Sequence, residues 1–175
     1  SATMLKEMDC EYVIVGHSER RALGETNAVV AQKVGAVIKE KLKPIVCIGE
    51  KERDQHGEYL SFLKNQLIES LAKVQKKSIG SVTIAYEPVW AIGKSYDTAV
   101  TGKDMQEISI FIKKILADMY GKDESATTNI LYGGSGAPVN ARDIAEQGFV
   151  DGFLVGRQSL EVKSFAEIIS IVASV

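Results

Sequence analysis

Residues 129–156, NILYGGSGAPVNARDIAEQGFVDGFLVG, hold a complete strand–helix–strand pattern. Two apolar runs, Asn129–Tyr132 and Gly152–Val155, have the length and the bounding glycines of strands. Between them, Pro138 suits the first turn of a helix, which we expect to continue to about Gln147. A strand, a helix and a second strand in this order predict two parallel strands joined by a right-handed crossover.

Short apolar runs of the same kind recur along the whole chain. They are continuously apolar rather than alternating, which is typical of parallel strands covered on both faces. The five predicted strands are Tyr12–Val15, Ile45–Ile48, Val82–Tyr86, Asn129–Tyr132 and Gly152–Val155. Between and beside them, apolar residues repeat every three or four positions, the spacing of a helix with one buried side. The predicted helices are Ala2–Met8, Val30–Leu42, Leu60–Val74, Met105–Met119, Pro138–Gln147 and Phe165–Val172.

This alternation of helices and strands predicts an α/β fold with a parallel sheet. The pattern fits either a doubly wound sheet or a (β/α)₈ barrel. A complete barrel takes about 250 residues, so a chain of 175 residues holds about five of the eight units. No break in composition divides the chain, and we expect a single domain over residues 1–175.

Composition and charge exclude several classes of protein. With 45% hydrophobic and 25% charged residues, the chain has the balance of a globular domain rather than of a disordered one. A net charge of −2 provides no polybasic surface for nucleic acid or for an anionic membrane. No apolar run reaches the roughly 20 residues of a membrane helix, and the first residues lack the pattern of a secretion signal. We therefore expect a cytoplasmic protein in which Cys10 and Cys47 are reduced.

Two ionisable residues follow predicted strands at their C-terminal ends, where parallel α/β proteins place their active sites. His17 precedes Ser18 and Glu19, a helix opening whose positive partial charge would keep the imidazole neutral. A neutral imidazole can donate a hydrogen bond to a carbonyl group. Glu87 ends an apolar strand, where partial desolvation would make its carboxylate a stronger base. A structural loop histidine and a buried ion pair remain open as alternatives for these two residues.

Glycine-rich loops after the last two predicted strands indicate an anion site. Gly133, Gly134 and Ser135 follow one strand, and Gly156 follows the next. Backbone N–H groups at such turns converge on an anion, and glycine lets a phosphate group approach closely. A metal site is not expected, because the two histidines are 39 positions apart and no carboxylate cluster has the spacing of metal ligands.

Five motifs narrow the interpretation further. They are VGHSERR at 15–21, CIGE at 47–50, AYEPVWAIG at 85–93, YGGS at 132–135 and DGFLVG at 151–156. In this order, and over essentially the whole chain, they resemble the triosephosphate isomerase family. The resemblance implies a TIM-barrel-type fold and the interconversion of dihydroxyacetone phosphate and glyceraldehyde 3-phosphate without a cofactor.

The resemblance also implies roles for individual residues, which the spacing alone does not establish. Glu87 matches the family's catalytic base and His17 its electrophile. Glu19 and Cys47 match residues that support Glu87 and His17 without contacting the substrate.

Phosphate contacts and a lid are implied in the same way. Gly93, Ser135 and Gly156 match the family's phosphate contacts, and Trp90–Gly93 matches the start of its lid. Two departures stand out. The lid continues as KSYDTA at 94–99 where the family has a small tip, and Arg157 replaces a second glycine. Arg157 retains a backbone N–H and adds a positive charge, so we include it among the expected phosphate contacts.

The chain starts in what resembles the helix after the family's third strand. We therefore expect an incomplete β/α barrel of about five strands, without the family's asparagine and lysine of the first strand and without its interlocking loop. Such a chain would be weakly active or inactive alone. The alternatives are a non-catalytic partial barrel that assembles with its own copies and a phosphate-binding remnant. Open edges near Tyr12–Val15 and Gly152–Val155, together with an exposed apolar barrel face, predict a homo-oligomer, most simply a dimer.

Overall fold

The computed structural model describes residues 1–91 and 100–175. Its centre is one sheet of five parallel strands, which lie side by side in the order of the sequence. The strands are β1 Tyr12–Val15, β2 Lys43–Ile48, β3 Thr83–Tyr86, β4 Asn129–Tyr132 and β5 Gly152–Phe153. The expected parallel α/β fold with five strands is confirmed, and the described residues show no pairing between β5 and β1.

Helices connect the strands, and the six predicted helices are all present, together with two short ones at Ser18–Ala22 and Lys122–Ala126 that were not predicted in full. The helices are α1 Ala2–Glu7, α2 Ser18–Ala22, α3 Asn27–Lys39, α4 Glu58–Ser70, α5 Gly102–Tyr120, α6 Lys122–Ala126, α7 Pro138–Gln147 and α8 Val162–Val172. In the part of the chain that the structure describes, 3-10 turns occupy Lys76–Ser81, Val89–Ala91 and Arg157–Leu160. The bounds of α7 are those predicted from Pro138. Helices α3 and α4 start and end a few residues earlier than their apolar stripes. The start of α3 is set by Thr26, whose side chain accepts a hydrogen bond from the backbone N–H of Val29.

Side-chain alternation gives the sheet two different faces. On one face, Val46, Ile84 and Ile130 are fully buried in an apolar core against the helices. On the other, Cys47 and Ala85 are also fully buried, although they do not belong to that core. The barrel-facing side of the central strands is therefore less exposed than the sequence analysis expected.

Exposure is concentrated at the margins of the sheet. Strands β1 and β5 lie at its two ends, as predicted, and Tyr12 and Ile14 on β1 are each about half exposed. In α8 only Ile168 is buried, whereas Val162 is 85% exposed and Ile169 is 53% exposed. Within the described residues, no helix has both the length and the apolar character needed to cross a membrane.

Candidate active site

A cavity of about 650 Å³ opens at the C-terminal ends of the strands. Six of the eight predicted site residues line it. They are His17, Glu19, Glu87, Ser135, Gly156 and Arg157. Cys47 is fully buried and acts on the Glu87 carboxylate without lining the cavity, and Gly93 lies outside the described residues, as do lid positions 94–99.

His17 is held by the start of a short helix. It is the N-cap of α2, and its Nδ1 accepts a hydrogen bond of 3.4 Å from the backbone N–H of Glu19. Its other ring nitrogen, Nε2, lies 2.8 Å from Oε1 of Glu87. Because Nδ1 accepts a hydrogen bond, the proton of the neutral ring is assigned to Nε2, where it points at the carboxylate.

Glu87 is a nearly buried carboxylate directly after β3. Its side chain is 3% exposed, and its Oε2 accepts a hydrogen bond of 3.0 Å from the backbone N–H of Ser18. Burial raises the pKa of Glu87 above the ordinary glutamate value. His17, the Ser18 N–H and the Cys47 thiol favour the charged form and reduce this rise without cancelling it. The result is a stronger base than a solvated glutamate.

Cys47 supplies a protonated thiol beside that base. Strand pairing sets Cys47 opposite Ala85 on β3, two residues before Glu87. Burial raises the pKa of the Cys47 thiol well above its usual range, and the nearby Glu87 charge raises it further. The thiol therefore stays protonated and donates to the carboxylate instead of acting as a nucleophile.

Two glycines make room for Glu87. A Cβ on Gly133 would lie 2.9 Å from Cγ of Glu87, and a Cβ on Gly49 would lie 1.7 Å from its backbone oxygen. Neither position accommodates a side chain without displacing the base. Gly133, which the sequence analysis assigned to an anion turn, thus has a second use that only the packing shows.

The predicted anion loops border the same cavity. Ser135 is fixed by a hydrogen bond from its Oγ to the backbone oxygen of Ala91 at 3.3 Å, and its own carbonyl accepts from Asn140 Nδ2 at 3.0 Å. Gly156 and Arg157 form the turn that enters the last 3-10 segment, and Arg157 is exposed. Both loops and Arg157 therefore line the cavity that contains His17 and Glu87.

Arg21 is the main residue whose importance the sequence analysis missed. Its guanidinium donates four hydrogen bonds that tie the His17 loop to β2 and α4. The acceptors are Gly16 O at 2.7 Å, Asn27 Oδ1 at 2.6 Å, Cys47 O at 3.1 Å and Ser70 Oγ at 3.2 Å. Its position four residues after His17, one helical turn on, is the only signal of this in the sequence.

Glu50, in the loop after β2, is a second buried carboxylate. It is 1% exposed, and its Oε1 accepts hydrogen bonds from Tyr86 Oη and Trp90 Nε1, both at 2.8 Å. Arg53 Nε lies 3.9 Å from the same oxygen. Across residues 1–91 and 100–175, no three His, Cys, Asp or Glu side chains gather in a way that would hold a metal ion.

Comparison with known proteins gives one consistent family. The family model described as triosephosphate isomerase matches residues 1–172. The chain is 46% identical over 171 residues to a protein named triosephosphate isomerase from Roseiflexus castenholzii, covering 97% of this chain and 66% of that protein. Proteins of the same name from Fusobacterium nucleatum and Dictyoglomus thermophilum are 44% and 40% identical, with 97% of this chain covered in each case and 67% and 68% of those proteins. The chain thus spans about two thirds of the length of these relatives, and with a family model matched over nearly all of its residues it belongs to the triosephosphate isomerase family.

Proposed function

We propose that this chain carries the machinery for interconverting dihydroxyacetone phosphate and glyceraldehyde 3-phosphate. The observation that carries the proposal is the 2.8 Å contact between His17 Nε2 and Glu87 Oε1, in a cavity that the two anion loops also line. Glu87 is the base, His17 the electrophile, and Glu19 and Cys47 support them. The reaction moves a proton between adjacent carbons and needs no cofactor.

The geometry indicates how the proton would move. With His17 and Glu87 in direct contact, no carbon atom fits between them, so substrate binding must draw the carboxylate away from Nε2. Glu87 then takes the proton from the carbon next to the carbonyl, while the Nε2–H of His17 donates to the carbonyl oxygen and stabilises the enediolate. His17 then passes its Nε2 proton to that oxygen and takes a proton from the hydroxyl group on the adjacent carbon. Return of the proton from Glu87 to the former carbonyl carbon completes the isomerisation.

The phosphate group of the substrate belongs, in this proposal, to the other side of the cavity. Ser135, Gly156 and Arg157 would hold it through N–H groups and the guanidinium, joined by Gly93. Within the described part of the cavity lining, Arg157 is the one permanently charged cation. The family's lysine of the first strand has no counterpart among these residues. In other enzymes, removing one preorganised electrostatic partner lowers turnover by about 10²–10³, so we infer that this chain alone is a weak isomerase.

Turnover by the purified chain tests the proposal. Isomerisation of glyceraldehyde 3-phosphate should be measurable above background and should vanish in Glu87→Gln, because the amide cannot accept a proton. The matched control is Glu146→Gln, which alters an exposed carboxylate paired with Arg142 on α7. Activity retained in Glu87→Gln, in protein purified from a host that lacks its own isomerase, would refute the assignment of the base.

Phosphate binding without turnover is the second candidate, favoured by the two anion loops on one cavity. Titration with inorganic phosphate, followed by amide NMR, should shift Ser135 and Gly156 first in both the original chain and Glu87→Gln. Such shifts in a chain without measurable turnover would support phosphate binding as its remaining function. Shifts confined to the exposed lysines near the end of α4, such as Lys73 and Lys77, would refute a phosphate site between these loops.

We also infer that the chain associates with a second copy. Its accessible surface is 9836 Å², whereas a compact monomer of 19.0 kDa exposes about 8,400 Å². The excess of about 1,400 Å² exceeds the roughly 800 Å² that each partner contributes to an ordinary interface. Exposed Ile14 on the β1 edge and Val162 and Ile169 on α8 are the apolar groups that a two-fold dimer would cover.

Light scattering at micromolar concentration tests this inference. A mass of twice 19.0 kDa is expected, and Ile169→Lys should lower it if α8 lies in the interface. Leu23→Lys, at an apolar residue that is 78% exposed away from α8, is the control. A compact single chain with a cooperative thermal transition would contradict the inference.

We further propose one domain over residues 1–175 and a cytoplasmic location. A single apolar core joins Val15 on β1 to Ile144 on α7, which supports one domain. Cys10 and Cys47 are both free thiols, and this supports a reducing compartment.

A further inference from the structure

Both edges of the sheet are open, and their strands run in the same direction. β1 forms one edge and β5 the other, and every neighbouring pair between them is parallel. Among the residues that the structure describes, neither edge pairs with a further strand. An open edge presents backbone N–H and C=O groups to which another strand can bind. Because the two edge strands are parallel, β5 of one copy can pair with β1 of a second copy in the geometry that the sheet already uses.

Each edge is flanked by a helix that exposes apolar side chains. α8 follows β5 and packs against α7, while its Val162 and Ile169 are exposed. α1 precedes β1 and packs Leu5 onto the core, while Met4 is 61% exposed and Met8, directly after the helix, is 74% exposed. In right-handed βα units, the helix after the last strand and the helix before the first strand lie towards the open sides of the sheet. Both apolar surfaces therefore lie where a second copy would join.

Three ways of joining two copies differ in how many edges they cover. Contact between the same edge of both copies, β1 with β1 or β5 with β5, is antiparallel about a two-fold axis and leaves the other edge open. Packing the two barrel-facing sides together covers Ile14 but leaves both edges unpaired. Pairing β5 of each copy with β1 of the other occupies both edges, and the assembly closes after two copies.

We propose that two copies form one closed barrel of ten parallel strands, in which β5 of each copy pairs with β1 of the other. The proposal rests on the association inferred above and specifies its geometry. The two-fold axis runs along the barrel, so α8 of one copy contacts α1 of the second at both joints. The C-terminal ends of neighbouring parallel strands meet at one end of the barrel. The turn after β5 of one copy, with Arg157, then borders the His17 loop of the other.

The exposed area and the dimensions of the chain support this ring. The excess surface of about 1,400 Å² per chain exceeds the roughly 800 Å² that each partner contributes to an ordinary interface. A ten-stranded barrel is wider than an eight-stranded one, which leaves room for the six residues of α1 beside α8. Ile45 and Leu131, on the barrel-facing side, are only partly buried. The sheet can therefore open to the wider curvature without breaking a packed core on that side.

Cross-linking between α1 and α8 tests this geometry. The double variant Glu7→Cys, Ala166→Cys, made in a Cys10→Ser chain, places one thiol at an exposed position on each helix. Cys47 is buried and stays unreactive. A short bismaleimide should convert most of this variant to a covalent species of twice the chain mass. Neither single variant should cross-link, because equal positions lie on opposite sides of the ring.

The matched control is Ala166→Cys with Lys64→Cys, which places the second thiol at an exposed position on α4, away from both edges. It should not cross-link. Cross-linking of either single variant would show contact between equal surfaces, and its absence in the variant with thiols at Glu7 and Ala166 would show a different joint. Either result overturns the proposal.

Dissociation of the dimer gives an independent measurement. Met4→Lys on α1 should raise the dissociation constant about tenfold or more, because a charge replaces an apolar contact. Phe62→Lys, at a 49% exposed residue on α4, should leave it unchanged. An unchanged dissociation constant in Met4→Lys would contradict the ring. A monomeric original chain would overturn both the association and this geometry, whereas a dimer without the cross-link would overturn the geometry alone. Neither result bears on the isomerase assignment.

Discussion

Replacing Arg21 by methionine should destabilise the protein and loosen the candidate active site. Methionine keeps much of the length and the apolar stem of arginine but has no donor. The change removes hydrogen bonds to Gly16 O, Cys47 O and Ser70 Oγ, all on buried residues, as well as one to Asn27. These bonds hold the loop that precedes His17 against β2 and α4.

The expected loss follows from the number and setting of these bonds. A hydrogen bond to a charged group contributes about 1.5–3 kcal/mol, but bonds from one guanidinium are not additive. Each buried acceptor that loses its donor costs about 1–3 kcal/mol, so with three of them we expect a total of about 3–5 kcal/mol for Arg21→Met. For a chain of this size, each kcal/mol lowers the melting temperature by about 2–4 °C. The melting temperature should therefore fall by roughly 6–20 °C.

Arg20 provides a matched control on the same helix. Its side chain is 60% exposed, and its Nε lies 3.8 Å from the buried carboxylate of Glu25, which keeps Lys33 as a closer partner when Arg20 is replaced. We therefore expect a loss of about 1 kcal/mol or less for Arg20→Met. Urea denaturation and thermal scans of Arg21→Met and Arg20→Met give the comparison directly. Equal destabilisation of the two variants, or a loss below about 1 kcal/mol for Arg21→Met, would refute the role assigned to the Arg21 network.

Three further outcomes are expected. The acid limb of kcat/KM should lie above the ordinary glutamate range, because Glu87 must be ionised to act and burial raises its pKa. Cys47→Ala should move the NMR titration midpoint of the Glu87 carboxyl to still higher pH, because the thiol favours the charged form of Glu87. Cys47→Ser, which keeps a donor, should not move it. An unchanged midpoint in the alanine variant would exclude this contact. Gly133→Ala should reduce turnover at least tenfold by displacing Glu87. The control is Gly136→Ala, whose Cβ would contact Phe153 at an ordinary 3.5 Å and should leave turnover nearly unchanged. Equal rates in the two variants would show that Gly133 is not needed to position the base.

The strands and long helices could be predicted because each is encoded by its own residues. Continuous apolar runs identify β2 and β3, and the apolar repeat identifies α5, which buries Met105, Ile108 and Ile112. Helix α2 has five residues, too few for a repeat to show, so only its opening at Ser18 was foreseen. Strand β5 ends at Phe153 rather than Val155, because beyond the bond from Leu154 N to Tyr132 O it has no further partner strand in the described residues.

The site was predictable in its members more than in its contacts. Topology alone takes His17 and Glu87 to the same end of the sheet, but the 2.8 Å contact depends on how the His17 loop is tied down. The clearance at Gly133 and the hydrogen bonds that Tyr86 and Trp90 donate to Glu50 join residues far apart in the sequence. No local sequence pattern predicts such long-range contacts, so they are known only from the packed structure.

The sequential strand order of the sheet bears on how the chain folds. Paired residues are 31 positions apart between β1 and β2, as in Tyr12 with Lys43, and 21 apart between β4 and β5, as in Leu131 with Gly152. Every strand therefore finds its neighbour in the next unit to be synthesised, which keeps contact order low for a parallel sheet. Such a chain can add units one at a time as it leaves the ribosome. A sheet assembled in this way can also gain a unit at either end without any change to the pairing already made.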